Sequence, residues 1–276
     1  MSGSECEGRV APTICEAEVV EREKVTERHV LLRLRALEVA LLAEPGQFVH
    51  IRVREGPIPL LRRPYSVAMV EGDEIALLIE RRGLGSSLLF NTREGERVEV
   101  LGPLGRGFTL NIGLGRRLLV AGGVGVAPLL FLGRRLLERG EEFTLIVGAR
   151  TKALLPLPRE LCEGLRVEVA TEDGSLGFKG TAVDALREAL SKGDGRAFVQ
   201  ACGPLGMLRA IEELRQERGF EGEVSVEARM GCGIGACMGC AIPVRGEGNK
   251  VRYVRACTEG PVLRLGEVLL DLLPAP

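Results

Sequence analysis

The chain has 276 residues, 45% of them hydrophobic, which is enough for two domains with cores of their own. Its 37 Lys and Arg against 38 Asp and Glu leave a formal net charge of −1, which excludes a general electrostatic attraction to nucleic acid or to anionic membranes. No apolar run approaches the roughly 20 residues of a membrane helix, and residues 1–15 lack the features of a signal peptide. We therefore expect a cytoplasmic protein that recognises its partners at specific sites.

The first part of the chain, from about Thr13 to Leu110, is predicted to consist of short strands separated by turns. The clearest strands are HVLLRLRA from His29, QFVHIRV from Gln47, YSVAMV from Tyr65, EIALLIE from Glu74 and RVEVLG from Arg97. Gly and Pro recur between them at the spacing of an all-β barrel or sandwich. One short helix is predicted from Ser86 to Thr92.

The pattern changes after Arg116, where buried apolar strands begin to alternate with amphipathic helices. This alternation predicts a parallel sheet with helices on its faces. It breaks again at Glu227, where a cysteine-rich loop is followed by a predicted hairpin, AIPVRGEGNKVRYV. We therefore expect an α+β, multidomain protein with an N-terminal antiparallel β-barrel (10–112), an α/β parallel-sheet domain (113–226) and a C-terminal cysteine-loop segment (227–276).

The cysteine loop carries the most specific motif in the chain. Cys232, Cys237 and Cys240 have the spacing C-x4-C-x2-C, and Cys257 follows after sixteen intervening residues. This is the spacing of plant-type [2Fe–2S] ligands. The glycines between these cysteines let backbone N–H groups approach negatively charged sulfur atoms. In a reducing compartment, eight cysteines in a chain of this length are typical of metal-binding, redox-active or buried thiols.

Three other interpretations of these cysteines are open. Short zinc motifs usually have two pairs of ligands with about two to four residues within each pair, whereas Cys257 has no second cysteine beside it. Disulfides are rare in a reducing compartment. Four inert buried thiols would leave the interleaved glycines unexplained. Cys6, Cys15 and Cys162 follow no spacing that we can interpret.

Two strand-to-helix junctions are candidate nucleotide sites. In RLLVAGGVGVAPLLFL, Gly122, Gly123 and Gly125 permit a tight turn, and Pro128 suits the first turn of the helix. The free N–H groups of such a helix start suit a pyrophosphate, although Pro128 replaces the third glycine of the G-x-G-x-x-G fingerprint. Cys202 begins the second junction, where it is either a small buried thiol or a contact to a nicotinamide. Each motif alone is equally typical of an ordinary turn.

Taken in chain order, Arg63–Ser66, Gly85–Ser86, Gly122–Pro128 and Cys202–Pro204 resemble the ferredoxin–NADP reductase superfamily, in which a flavin-binding β-barrel precedes a pyridine-nucleotide domain. The resemblance covers almost the whole chain. The C-terminal EARMGCGIGACMGC…YVRACTEGPV is similar to the electron-transfer subunits of dihydroorotate dehydrogenase B. Members of that family carry FAD and a [2Fe–2S] cluster and pair with a catalytic FMN subunit.

The resemblance implies roles for individual residues. Arg63 would bind the FAD phosphates, Tyr65 and Ser66 would line the isoalloxazine, and Ser86 stands where the family has Thr. The full set of expected FAD-binding residues is Arg63, Pro64, Tyr65, Ser66, Leu78, Ile79, Glu80, Gly85 and Ser86. NAD(H) is expected at Gly122, Gly123, Gly125, Pro128, Cys202, Gly203 and Pro204. The expected iron ligands are Cys232, Cys237, Cys240 and Cys257.

By this resemblance, electrons would flow from dihydroorotate to FMN on the partner, then to the cluster, FAD and NAD⁺, in de novo pyrimidine biosynthesis. A heterotetramer of two copies of each chain is expected, with residues 230–238 at the shared surface. The two histidines, His29 and His50, are interpreted as structural or surface residues, and Arg150 leaves the choice between NADH and NADPH open. Two alternatives remain: the FAD/iron–sulfur subunit of an NADH-dependent ferredoxin:NADP oxidoreductase or sulfhydrogenase, and a zinc-stabilised binding module without redox chemistry.

Overall fold

The computed structural model describes residues 12–54, 56, 58–113, 115–193 and 196–274, so that Cys6 lies outside the described residues. Its N-terminal part contains six strands, namely β1 (Thr13–Lys24), β2 (His29–Arg35), β3 (Phe48–Arg52), β4 (Arg63–Glu71), β5 (Glu74–Glu80) and β6 (Arg97–Leu104). Two short helices accompany them, α1 (Leu37–Ala40) and α2 (Leu84–Phe90). The strands form a closed antiparallel barrel in the order β1-β2-β5-β4-β3-β6, which confirms the predicted barrel.

Alternate side chains along the strands point into the barrel and form its core. On β3, Val49 and Ile51 belong to the barrel core, whereas Phe48 packs into a different cluster on the outside. Successive side chains of a strand point to opposite faces, so His50 also lies on the outer face. This outer face of β3 is therefore available to pack against the rest of the chain.

The second part of the molecule is an α/β unit. Its elements are β7 (Arg116–Gly122), α3 (Val126–Glu138), β8 (Phe143–Ala149), β9 (Val167–Thr171), β10 (Phe178–Lys179), α4 (Ala182–Ser191), β11 (Ala197–Cys202), α5 (Leu205–Arg218) and β12 (Glu221–Ser225). Strands β7 to β12 are parallel to their neighbours in the order β10-β9-β8-β7-β11-β12. The order reverses between β7 and β11, and open α/β sheets bind ligands at the carboxyl ends of strands at such a point.

The C-terminal part contains β13 (Ala241–Arg245), β14 (Val251–Arg255) and β15 (Val262–Arg264). Strands β13 and β14 form the predicted hairpin. Strand β15, which the sequence did not indicate, pairs antiparallel with β12 and adds a seventh strand to the sheet. Residues of the hairpin such as Ile242 and Val254 share one core cluster with Val199 and Val224 of the sheet. The cysteine-rich segment is therefore packed on the α/β unit.

The barrel and the α/β unit are joined by an apolar interface and by a buried cation. Helix α3 packs on β4. The guanidinium of Arg33 on β2 forms ion pairs with Glu21 (3.0 Å), Glu71 (3.3 Å) and Glu160 (2.5 Å), of which Glu160 belongs to the α/β unit. Because a buried guanidinium without its carboxylates is strongly disfavoured, these pairs fix how the two parts meet. No helix among the described residues has the length and apolar character needed to cross a membrane.

Candidate electron-transfer site

The four predicted cluster ligands form two pairs. The backbone N–H of Cys237 donates to Cys232 Sγ at 3.4 Å, and that of Cys232 donates to Cys237 Sγ at 3.5 Å. In the second pair, the Sγ atoms of Cys240 and Cys257 are 3.3 Å apart, and both side chains are buried. Two pairs of thiols match the two irons of a [2Fe–2S] cluster, each of which takes two protein ligands.

The glycines of this loop act in two ways. Gly233 and Gly235 have positive φ angles of 75° and 85°, a conformation that turns backbone N–H groups toward the sulfur atoms. Gly231 and Gly239 instead provide space, since a Cβ atom on either would lie 3.2 or 3.4 Å from Cys237 Sγ. Met238 also adopts a positive φ of 57°, the only non-glycine residue to do so among the described residues.

The electrostatics of the loop suit bound thiolates. Partial burial opposes ionisation of Cys232, but backbone N–H groups of Ile234, Cys237 and Ala236 together with the Cys237 thiol outweigh it and lower the pKa to about 7. For Cys257, burial and the neighbouring Cys240 thiol raise the pKa to about 12. Within the described ranges no three His, Cys, Asp or Glu side chains are grouped to hold one metal ion.

Four of the predicted flavin residues line a cavity of about 510 Å³ between β4 and α2. Arg63, Tyr65, Gly85 and Ser86 line it. A Cβ atom on Gly85 would lie 2.9 Å from Arg63 Nε, so the bare backbone makes room for the guanidinium. Arg63 donates to the Leu61 carbonyl at 2.9 Å and makes no ion pair within the described part of the chain. A guanidinium without a carboxylate, next to a tight turn, fits a phosphate of FAD.

The other predicted flavin residues are placed differently. Pro64 and Ser66 lie on β4 opposite His50 and Phe48 of β3. Leu78 and Ile79 are buried in the cores on the two faces of β5. Glu80 lines a second cavity and accepts hydrogen bonds from Arg28 (3.2 Å) and Arg82 (2.6 Å). Their flavin contacts stay predictions.

The hydroxyl of Ser86 forms hydrogen bonds with the neighbouring backbone. It accepts hydrogen bonds from the N–H groups of Arg82 (2.8 Å) and Gly83 (3.0 Å) and donates to the Gly83 carbonyl (3.1 Å). Because Gly83 has no side chain, Ser86 alone caps the start of α2. We therefore assign to Ser86 the shaping of this turn, and its predicted phosphate contact remains untested.

The second cavity, of about 890 Å³, lies at the carboxyl ends of β7, β8 and β11. Gly122, Gly123, Gly203 and Pro204 line it, as expected for a dinucleotide. Gly125 lies beneath the surface, where a Cβ atom would stand 2.4 Å from the Cys202 carbonyl oxygen. Pro128 is buried in the first turn of α3.

Cys202 is at the end of β11, but its side chain is only 5% exposed and is not part of the cavity wall. Burial and the charge of Glu227 raise the pKa of its thiol to about 12, against a hydrogen bond from Ser225. The thiol is therefore neutral and unreactive at ordinary pH. Its predicted nicotinamide contact stays a prediction.

Several wall residues were not anticipated from the sequence. They come from the barrel, from α4 and from the C-terminal segment, and include Arg28, Arg82, Thr181, Asp184, Arg187, Leu273 and Pro274. For α4 a signal existed, because Thr181 and Asp184 form a capping box in which Asp184 N donates to Thr181 Oγ1 at 3.1 Å and Thr181 N donates to Asp184 Oδ2 at 2.8 Å. The others depend on how the domains pack. Arg82 lines both cavities, so the two sites adjoin.

Comparison with known proteins agrees with this arrangement. Residues 227–269 match the family model of the iron–sulfur cluster binding domain of dihydroorotate dehydrogenase B. The chain is 40% identical over 258 residues to the dihydroorotate dehydrogenase B (NAD(+)) electron transfer subunit of Geobacillus thermodenitrificans, covering 91% of this chain and 97% of that protein. It is also 40% identical over 268 residues to the subunit of the same name from Desulforamulus reducens, covering 94% and 99%.

Among solved structures, the chain is similar to that of an NADH-dependent reduced ferredoxin-NADP oxidoreductase, with 30% identity and a TM-score of 0.82 over 96% of this chain and 92% of that one. A ferredoxin NADP+ reductase from Neisseria gonorrhoeae with bound FAD and NADP shares the fold, with 18% identity and a TM-score of 0.64 over 77% and 99%. The two alignments with these 40% identical relatives cover nearly the full length of this chain and of each relative. The chain therefore belongs to the family of dihydroorotate dehydrogenase B (NAD(+)) electron transfer subunits.

Proposed function

We propose that this chain passes electrons from the FMN of a catalytic dihydroorotate dehydrogenase subunit, by way of a [2Fe–2S] cluster and FAD, to NAD⁺. The observation that carries the proposal is the two-pair cysteine loop in a chain that also has adjoining cavities for a flavin and a dinucleotide. A flavin exchanges a hydride with nicotinamide and single electrons with an iron–sulfur cluster. The chain thus combines two-electron and one-electron chemistry.

The residues of this chain bind and orient the cofactors. Arg63 supplies a fixed positive charge for the FAD phosphates, and Gly85 keeps the space that its guanidinium needs. Gly122 and Gly123 let the nucleotide approach the backbone at the start of α3. Cys232, Cys237, Cys240 and Cys257 hold the irons.

Arg82 connects the three sites. It lines both cavities, and its guanidinium also lies 3.7 Å from the carboxylate of Glu227, the first residue of the cysteine-rich segment. Electron transfer requires that redox centres lie near one another. A residue shared by both cavities and next to the cysteine-rich segment therefore supports electron transfer between nucleotide, flavin and cluster within one chain. No part of this arrangement requires dihydroorotate to bind here.

The family name implies a catalytic partner subunit, and we propose an assembly of two copies of each chain. The segment 230–238 is proposed as part of the shared surface, since a cluster that exchanges electrons with another subunit should lie near it. Ile234 and Met238 support this, because their large apolar side chains are 54% and 50% exposed beside the ligand loop. Exposed apolar patches of this kind are typical of protein interfaces.

Turnover assays with and without the partner test the proposal. The isolated chain should reduce artificial electron acceptors with NADH but should show no turnover of dihydroorotate. Addition of the catalytic subunit should restore dihydroorotate-dependent reduction of NAD⁺. Activity on dihydroorotate by this chain alone would contradict the division of labour.

A second function is favoured by one observation, the structural similarity to the NADH-dependent ferredoxin-NADP oxidoreductase at 30% identity. The two functions differ in the partner chain. Purification of the native complex and identification of the companion subunit distinguishes them: an FMN-binding dihydroorotate dehydrogenase subunit supports the first proposal, and a companion without activity on dihydroorotate supports the second.

A further inference from the structure

His50, in the middle of β3, is the most unusual polar residue outside the assigned sites. Its side chain is 0% exposed, and neither ring nitrogen has a hydrogen-bond partner among the described residues. A buried polar group without a partner is strongly disfavoured, because it loses its hydrogen bonds to water and gains none in return. Native structures rarely retain such a group unless a cofactor, ion or water completes it.

The position of the ring indicates what completes it. A Cβ atom on Gly233 would lie 2.7 Å from His50 Nδ1 and 2.9 Å from Cε1, so this edge of the imidazole rests on the backbone of the cysteine loop. Gly233 directly follows the ligand Cys232 and has a positive φ of 75°. The glycine thus gives a barrel side chain access to the loop that holds the cluster.

The charge state of the ring defines what it can donate. Burial, reinforced by the positive charge of Arg62, lowers the pKa of His50 to about 4. A neutral imidazole has one N–H donor and one acceptor nitrogen. The acceptors that the proposed cofactor brings to this loop are negatively charged sulfur atoms, and the loop already directs backbone N–H groups at its thiols.

We propose that the His50 imidazole donates a hydrogen bond to a sulfur atom of the iron–sulfur cluster, and so acts as a positioning residue that tunes the cluster from the flavin barrel. Hydrogen bonds to cluster sulfurs stabilise the reduced, more negative state and raise the reduction potential. This inference rests on the proposed function, since it requires the cluster to be present. It gives a reason for a buried histidine whose ring nitrogens have no hydrogen-bond partner in the described part of the chain.

His29 provides a matched control. It is also buried in the barrel, on β2, but its Nδ1 lies 2.8 Å from Thr26 Oγ1 and is therefore already paired. The chain has no other histidine. Labelling with ¹⁵N-histidine thus introduces only two labelled side chains, and one substitution at each distinguishes them.

The first experiment is pulsed electron paramagnetic resonance of the reduced, cluster-loaded chain labelled with ¹⁵N-histidine. We expect a ¹⁵N coupling to the cluster spin that is retained in His29→Gln and lost in His50→Phe. A redox titration should give, for His50→Phe, an about tenfold less favourable equilibrium for cluster reduction, or about 59 mV for one electron. The flavin potential should change less than the cluster potential.

His50→Gln guards against a variant that merely misfolds, because glutamine keeps an N–H donor and should recover part of the cluster potential. A loaded wild-type cluster without ¹⁵N coupling, with the same potential in His50→Phe, would overturn the inference. A shift of the flavin potential alone would overturn it as well and would assign the hydrogen bond to FAD. A wild-type chain that binds no iron would instead contradict the proposed function.

Discussion

Gly125 and Cys202 are in backbone contact, because a Cβ atom on Gly125 would lie 2.4 Å from the Cys202 carbonyl oxygen. The start of α3 is thereby pressed against the end of β11, and the two glycine turns meet at one edge of the sheet. Gly203 reinforces this contact, since its own Cβ would lie 2.9 Å from the backbone nitrogen of Gly122. The dinucleotide cavity has its shape because neither turn carries side chains at these points.

Gly125→Ala should therefore weaken both folding and nucleotide binding. The added methyl group meets backbone that cannot move aside, and overpacking of this kind typically costs about 1–3 kcal/mol. Denaturant unfolding and NADH titration measure the two effects. Gly113→Ala, between the barrel and the sheet, is the matched control, because no atom lies within 4 Å of its Cβ position and it lines neither cavity. Equal stability of both variants would contradict the packing argument.

Gly85→Ala should weaken FAD binding, as a substitution of Arg63 itself should. The new Cβ would stand 2.9 Å from Arg63 Nε and 3.1 Å from Cγ, so the guanidinium must leave its position. We expect Arg63→Ala to weaken FAD binding at least about tenfold, in line with about 1.5–3 kcal/mol for a hydrogen bond to a charged group, and Gly85→Ala to weaken it in the same direction. Flavin fluorescence measures the affinity. Arg35→Ala, which removes an exposed cation of the barrel, should leave it unchanged.

Cys237→Ala should abolish the cluster and spare the flavin. Cys237 is exposed, so its removal leaves no cavity in the core. Because the cluster needs four ligands, iron content and the EPR signal should fall to background, while bound FAD per chain stays at the wild-type level. Cys15→Ser, outside the ligand set, should keep its iron. Full iron content in Cys237→Ala would exclude this residue as a ligand.

Met238→Glu tests the proposed partner surface. A charge placed in an apolar interface must be desolvated, so we expect the affinity for the catalytic subunit to fall at least about tenfold, or about 1.4 kcal/mol. Gel filtration of the mixed subunits measures this. Leu41→Glu provides the control, since Leu41 is 71% exposed on the barrel and lies outside the cysteine loop. An unaltered complex for Met238→Glu would count against the placement.

The thiol of Cys202 should resist alkylation in the folded protein. Burial raises its pKa to about 12, so it stays protonated at about pH 9, where an unperturbed cysteine with a pKa of about 8.5 is mostly thiolate. Iodoacetamide labelling of the holoprotein between about pH 7 and pH 9, followed by mass spectrometry, should leave Cys202 unmodified, whereas the denatured chain should react. Increasing modification with pH in the native state would contradict its burial.

The sequence was most informative where the chemistry is local. The cysteine spacing predicted four residues that form two pairs. The strands from His29 to Glu80 could be predicted because short apolar runs between turn residues are a local signal. Gly122 and Gly203 were predicted because a glycine turn after an apolar strand is a short-range pattern. Except for Cys257, which follows Cys240 after sixteen intervening residues, each of these signals lies within a short stretch of the chain.

Features that depend on distant parts of the chain were missed. Strand β15 has three residues, and only its pairing with β12 makes it a strand. Arg28 and Arg82 reach the dinucleotide cavity because the barrel docks on the sheet. His50 was interpreted as structural or surface, and its relation to Gly233 crosses the boundary between barrel and cysteine loop. No local pattern encodes such contacts.

Electron transfer from NADH through FAD to the cluster is tested most directly by a visible absorption spectrum of the anaerobically purified chain during titration with NADH. We expect a flavin band and a broader iron–sulfur absorption at longer wavelength, both of which bleach as NADH is added. That result would establish an electron path from nicotinamide through FAD to the cluster. A chain that stays colourless after reconstitution with FAD, iron and sulfide would contradict the proposed redox function.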